Sequence, residues 1–114
     1  MTERHPKIAR VRRRAEFVSL QREGRRRHTE HFVVVRRPSA GDTSRLGVTV
    51  SKRVGNAVQR NRVKRLVREV FRRRRETILP PSDVVVIARP GADTLTYAQA
   101  AIEFARALEL PPAR

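Results

Sequence analysis

Eleven cationic side chains fall between Ser51 and Arg75, SKRVGNAVQRNRVKRLVREVFRRRR, against a single acid, Glu69. Guanidinium and ammonium groups at this density do little acid–base chemistry near neutral pH. They bind phosphates, and arginine adds a planar fork that matches phosphate oxygens and stacks on bases. Val63, Leu66, Val67, Val70 and Phe71 recur at i, i+3, i+4, i+7 and i+8, the buried face of an amphipathic helix. At about 100° per residue, Arg60, Lys64, Arg68 and Arg75 line one flank, while Arg62, Arg65 and Arg72 widen the arc. Asn56 suits the N-cap, Gln59 completes a capping box, and Gly55 fits the tight turn before it. Like charges four apart destabilise a helix. Stacking Arg60, Lys64 and Arg68 without compensating acids therefore predicts a polyanionic partner, here an RNA, over a merely solvated basic face.

Chemistry of the protein's own is harder to find. Asp42, Asp83 and Asp93 lie beside Gly, Ser, Thr or Pro, where turn and capping roles are the default. Glu16 and Glu23 sit among arginines and are expected to pair locally. His28 and His31 are three apart with no Cys or third His nearby in sequence, so no metal site is expected. His5 lies in the tail. Gly47 and Gly55 do not have the spacing of a phosphate-binding loop of the Walker type. No catalytic residue is therefore assigned.

The 114 residues suit one domain with one modest core, and the expected organisation is a single RNA-binding domain, 1–114, with a core of about 8–110 and short loose tails. A net charge of +16 and a pI near 11.9 point to nucleic acid or an anionic membrane surface. No apolar run approaches the roughly 18 residues of a spanning helix, and no apolar segment follows the basic N-terminus as in a secretory signal. With no cysteines either, a cytoplasmic location is expected. Only Lys7, Lys52 and Lys64 are lysines among the 27 basic residues. A GC-rich genome accounts for much of that preference, but not for its placement.

The elements that would position the basic stretch follow in order. Arg14 to Gln21 reads as a short helix with Phe17 and Leu20 on one side, ended by Gly24. His31 to Arg36 has the β-branched density of a strand. Arg45 to Ser51 alternates, with Leu46, Val48 and Val50 on a buried face and Arg45, Gly47, Thr49 and Ser51 on the other. That second face, small and polar beside Lys52 and Arg53, suits an extended nucleic-acid strand or simply solvent. After the basic helix, Val84 to Ala88 reads as a central strand covered on both faces. Thr96 then caps a last helix with Gln99 as box partner, and Tyr97, Ala101, Phe104 and Leu108 form its apolar stripe. The result is helices packed on a small sheet, an α+β or α/β sandwich. The crossover through the basic helix would be right-handed by default.

The stretch RLGVTVSKRVGNAVQRNRVKRLVREVFR, with Arg60-Asn61-Arg62 at its centre, closely resembles the signature region of the bacterial ribonuclease P protein subunit family. The resemblance extends to Arg14-Ala15-Glu16-Phe17 with Gly24, and to Asp83 through Pro90. It implies an α+β two-layer sandwich of order α-β-β-β-α-β-α, with a small mixed sheet of about four strands, three helices, a further short strand between Arg25 and Glu30, and a left-handed crossover, like that of ribosomal protein S5 domain 2. It also implies an auxiliary subunit of an endoribonuclease, a hydrolase holoenzyme whose ribonuclease P RNA cleaves the 5′ leader from precursor tRNA using Mg2+ bound mainly by that RNA. The isolated protein would be inactive and hold no metal itself, with no membrane and no obligate protein partner. Arg60, Asn61, Arg62, Lys64, Arg65 and Arg68 would contact the catalytic RNA. Phe17 as a stacking surface and Lys52, Arg53 and Arg89 as phosphate contacts would bind the leader. Where the family often has two further aromatics, this chain has Gln21 and Val35, which implies weaker leader stacking.

Three other classes compete. Composition alone favours a ribosomal-type RNA binder equally, and only the long motif separates the two. An autonomous nuclease would need carboxylates or His beside the basic groove. A DNA regulator of the helix-turn-helix kind would need a short partner helix before the basic one, where strand Arg45 to Ser51 stands.

Overall fold

The computed structural model describes residues 14–111, without the side chains of 16, 17 and 21. The first helix, α1 (Arg14–Glu23), stops at Gly24, whose N–H returns to Leu20 O at 2.8 Å. A Cβ at Gly24 would stand 2.5 Å from a Val35 methyl, so only glycine lets the chain turn this close to the sheet. Strands β1 (Arg25–His28), β2 (Phe32–Pro38) and β3 (Arg45–Val50) follow, then α2 (Ala57–Arg74), β4 (Ser82–Ala88) and α3 (Tyr97–Leu108). Short 3-10 turns at Arg75–Thr77 and Ala92–Thr94 follow α2 and precede α3. This is the order the family resemblance implied, including β1.

The sheet runs β1-β2-β4-β3. β4 pairs antiparallel with β2 and parallel with β3, which it reaches through α2. Val84, Val85 and Val86 are at most 1% exposed, as a central strand covered on both faces requires. β1 shows no apolar alternation; its Arg-Arg-Arg-His backbone is organised by pairing with β2, and all four side chains are exposed. Charge on an exposed edge also discourages pairing with another chain.

Strand alternation sends neighbouring residues into two clusters. Phe32, Val34, Leu46, Val84, Val86 and Ala88 meet α2 and α3 in the main core. Val35 and Val85 point the other way, under Leu20 of α1, with Val33 and Ile87 partly covered beside them. On α2 the buried residues are Val63, Val67, Val70 and Phe71, with Leu66 at the margin. The Phe71 ring meets Phe104 of α3 edge-on, at 6.4 Å and 86°. Burying it contributes about 1.5–3 kcal/mol.

The stripe on α3 is centred differently from the sequence expectation. Ala100, Glu103, Phe104, Ala107 and Leu108 are buried, while Tyr97 and Ala101 sit at the edge. Small alanines let α3 approach the sheet, and Tyr97 at the margin receives the Arg73 guanidinium 5.0 Å over its ring. Among the described residues no helix is long and apolar enough to cross a membrane.

Candidate nucleic-acid interface

The basic helix begins with the predicted capping box. Asn56 Oδ1 accepts from Gln59 N at 2.9 Å, and Gln59 Oε1 accepts from Asn56 N at 2.7 Å. Gly55, at φ 157°, makes room for this: a Cβ there would lie 2.1 Å from Gln59 Oε1. Gln59 Nε2 continues to Asp93 Oδ2 at 3.1 Å, tying the cap to the turn before α3.

The two arginines of the Arg-Asn-Arg triplet, expected as RNA contacts, also hydrogen-bond within the fold. Arg60 donates to Gly55 O at 2.8 Å, bracing the cap. Arg62 reaches across to Asp93 O at 2.8 Å and Leu95 O at 3.0 Å, stapling α2 to the segment that starts α3. A carbonyl satisfies a guanidinium proton without neutralising its charge, so both arginines are positioned by the fold and remain cationic. Asn61 lies exposed between them. Further along, Lys64 is half-buried and Arg65 exposed, and neither has a protein partner among the described residues. Arg68 is half-buried and engaged.

The single acid of the stretch, Glu69, compensates charge at the C-terminal end of α2. Glu69 accepts from Arg72 at 2.7 Å and from Arg73 at 2.7 Å. The hydrogen bond from Arg72, seconded by Arg73, holds the Glu69 carboxyl down at about 2. Lys64 and Arg65, with no protein partner among the described residues, therefore carry the least compensated charge on this helix. A cavity of about 550 Å³ lies at the other end of α2, between Arg72, Arg75, Leu79 and the β2–β3 loop.

On the opposite face of the sheet, the α1 side, the described side chains cover one end only. Register aligns His28, Val33, Ile87 and Thr49 in one row across the four strands. Leu20 covers the next row at Val35 and Val85 and leaves this one more open, with His28 and Thr49 exposed at its ends. The small second face expected of β3 is thus closed at Gly47, which is buried, and open at Thr49 and Ser51. Val35, at a position where an aromatic could have stacked on RNA, is fully buried instead. Phe17 falls within α1, but its side chain, like those of Gln21 and Glu16, lies outside the described residues.

Because β3 and β4 run parallel, Val50 pairs with Ala88, and the residues that follow each strand emerge at the same edge. Exposed Lys52 and Arg53 follow β3, and exposed Arg89 follows β4. Alternation after Val85 and Ile87 puts Arg89 on the α1 side. The N-terminus of α2, with Arg60, Asn61 and Arg62, starts from this edge too. The fold thus gathers Lys52, Arg53, Arg60, Asn61, Arg62 and Arg89 around the carboxyl ends of two parallel strands, while Lys64, Arg65 and Arg68 lead away along α2. That is a positive rim suited to phosphates.

Two acids take roles that the sequence did not show. Asp83, expected in a turn, is instead 1% exposed within β4. It takes Arg45 Nε at 2.9 Å on Oδ1, with Arg45 at 2.9 Å and Arg37 at 3.3 Å on Oδ2. Burial pushes its carboxyl up, and the two arginines outweigh this, leaving it below its ordinary value. Arg37 also holds Ser19 at 2.8 Å and Glu23 at 3.4 Å, so Glu23 pairs with β2 rather than locally, and α1 is anchored to the clamp.

Glu103 is the second. Its Oε1 accepts from Thr29 Oγ1 at 2.6 Å and His31 N at 2.9 Å, and its Oε2 lies 2.6 Å from His31 Nδ1. Burial raises its carboxyl, and these hydrogen bonds bring it below its ordinary value. Donor atoms of Glu30, His31 and Glu103 lie within 4.8 Å of one another, without His28. The two Glu103 oxygens and His31 Nδ1 are committed to each other and to Thr29, an arrangement that does not fit a magnesium ion needing near-octahedral oxygen ligands. Both buried acids thus serve as anchors, and neither stands free as a general base beside the basic rim.

Residues 5–110 match the ribonuclease P family. The chain is 51% identical over 84 residues to the ribonuclease P protein component of Desulforapulum autotrophicum, covering 74% of this chain and 72% of that one. Among solved structures, the Staphylococcus aureus RNase P protein superposes with a TM-score of 0.80 at 35% identity, over 89% of this chain and 93% of that one. The RNase P protein from Thermotoga maritima superposes with a TM-score of 0.78 at 32% identity, over 90% and 98%. On sequence across nearly its whole length, and on the same four-stranded mixed sheet with three helices, this chain belongs to the ribonuclease P protein component family.

Proposed function

We propose that the protein assembles with a ribonuclease P RNA through the cationic arc of α2 and guides the 5′ leader of precursor tRNA along the open row of the α1-side sheet face. The gathering of Lys52, Arg53, Arg60, Asn61, Arg62 and Arg89 at one edge of the parallel β3–β4 pair carries this reading. It lets one RNA run along α2 while a second strand enters the sheet face from the same rim. Arg60, Arg62, Lys64, Arg65 and Arg68 clamp phosphates, and Asn61 offers an amide to a base or sugar. A row of Val33, Ile87 and Thr49 between cations tolerates any base, as a leader of varied sequence requires. Cleavage belongs to the RNA, with magnesium bound mainly there. The protein's residues bind, orient and lower the electrostatic cost of bringing two polyanions together.

The test is single-turnover cleavage of a precursor tRNA by the cognate RNA at low magnesium, with the protein present, absent and alone. Stimulation only in combination is expected. Cleavage by the protein alone would refute the division of labour, and no stimulation would leave a ribosomal-type RNA binder as the better reading.

A further inference from the structure

Arg89 occupies the rim, and its backbone and side chain are held by one short segment. Its N–H donates to His31 O at 2.8 Å, and its guanidinium donates to Thr29 O at 3.3 Å. Both acceptors belong to the turn between β1 and β2. Thr29 N closes the turn locally on Phe32 O at 2.8 Å, and a second anchor lies on α3, more than seventy residues away in sequence. Glu103 takes the Thr29 hydroxyl and the His31 N–H on one oxygen and the His31 ring on the other. The Thr29 hydroxyl lies 3.1 Å from Phe32 N, which donates to it and so closes the turn on β2. The carboxylate is nine-tenths buried on the core side of the sheet, whereas Arg89 emerges on the α1 side.

We infer that Glu103 is a positioning residue for substrate binding: by fixing the 29–31 turn from α3, it aims the Thr29 and His31 carbonyls that orient Arg89 toward the leader. The inference rests on the proposed role of Arg89 as a leader contact. His28, directly before the turn and exposed on the same face, is set by the same anchor. Without the carboxylate, two donors and a ring nitrogen lose their acceptor. The turn then relaxes toward solvent, and Arg89 samples many rotamers before it meets a phosphate.

The experiment compares holoenzyme affinity for precursor tRNA with a leader and for the same tRNA without one. Arg89→Ala is expected to weaken leader-dependent binding by about three- to tenfold, the loss of one oriented phosphate contact. Glu103→Ala should give a similar loss, the double variant should be no worse than Arg89→Ala alone, and Glu103→Gln, which keeps the shape and one acceptor, should restore most of the affinity. Binding of the leaderless tRNA and of the RNA subunit should not change. Losses that multiply in the double variant, or a Glu103→Ala loss that appears equally without a leader, would overturn the role of Glu103 while leaving that of Arg89 intact. No loss from Arg89→Ala would overturn the leader assignment and the inference with it. If Glu103→Ala does not fold, Thr29→Val decides: it removes one donor and should lower leader-dependent affinity without adding to Arg89→Ala, and independent effects would overturn the inference.

Discussion

Arg62 and Arg65 lie three residues apart on one helix and carry the same side chain, yet the structure gives them different duties. Arg65 is exposed and has no protein partner among the described residues. Arg65→Ala should leave stability within about 0.5 kcal/mol of the parent. Each phosphate contact contributes about 0.7–0.9 to the slope of log affinity against log salt. Losing one therefore reduces the change in affinity across a fourfold salt increase by about threefold. Arg62 spends two N–H groups on Asp93 O and Leu95 O, at 2.8 and 3.0 Å. Charge-assisted bonds of this kind are worth about 1.5–3 kcal/mol each when buried, and solvent at this exposed site reduces the pair to about 1–2 kcal/mol in total. Arg62→Ala should therefore lower Tm by about 5–10 °C. The assays are urea and thermal unfolding of each variant, and titration of the cognate RNA subunit over a series of KCl concentrations. Equal destabilisation by the two substitutions, or an unchanged salt slope for Arg65→Ala, would refute the distinction.

The Asp83 clamp predicts a large effect from a small change. Asp83→Asn removes the buried negative charge that Arg37 and Arg45 share, each about a quarter exposed and so able to rehydrate in part, and should cost about 3 kcal/mol, read from urea unfolding at constant m-value. A loss below about 1 kcal/mol would show that the arginines find other acceptors. The same carboxylates set the acid limb of stability. Glu69, Asp83 and Glu103 all sit below their ordinary values of 4.5, 3.8 and 4.5 when folded, Glu69 at about 2. Their contribution is complete above the unfolded values and is lost as pH falls through the folded ones. Stability should therefore decline from about pH 4.5 downward, and Asp83→Asn should flatten that decline; an identical pH slope would refute the assignment. Gly55→Ala places a Cβ against Gln59 Oε1 and strains a positive φ, so it should remove about 1–2 kcal/mol of helix capping, measurable as lower α2 protection in hydrogen exchange. A Gly55→Ala protein with unchanged exchange would refute the need for glycine there.

What was legible in the chain itself is what short-range forces decide. The Asn56–Gln59 and Thr96–Gln99 boxes close over three residues. The α2 stripe repeats with the helix period, and a run of valines long enough for one strand has nowhere to go but the middle of a sheet. Charge placement pointed to RNA for the same reason: uncompensated arginines on one helix arc raise the field wherever that arc faces. β1 left no apolar signal, because four basic residues acquire strand geometry only from β2; the family resemblance supplied it. The tertiary structure alone decided which charges are free. Arg62 is held from 31 and 33 residues away, Asp83 is clamped across 38 and 46, and Glu103 reaches back 72 to 74. Each of these pairs exists because strand order and helix packing bring distant segments within hydrogen-bond reach. No local pattern encodes such a meeting, since a partner's position is set by the topology of the whole sheet.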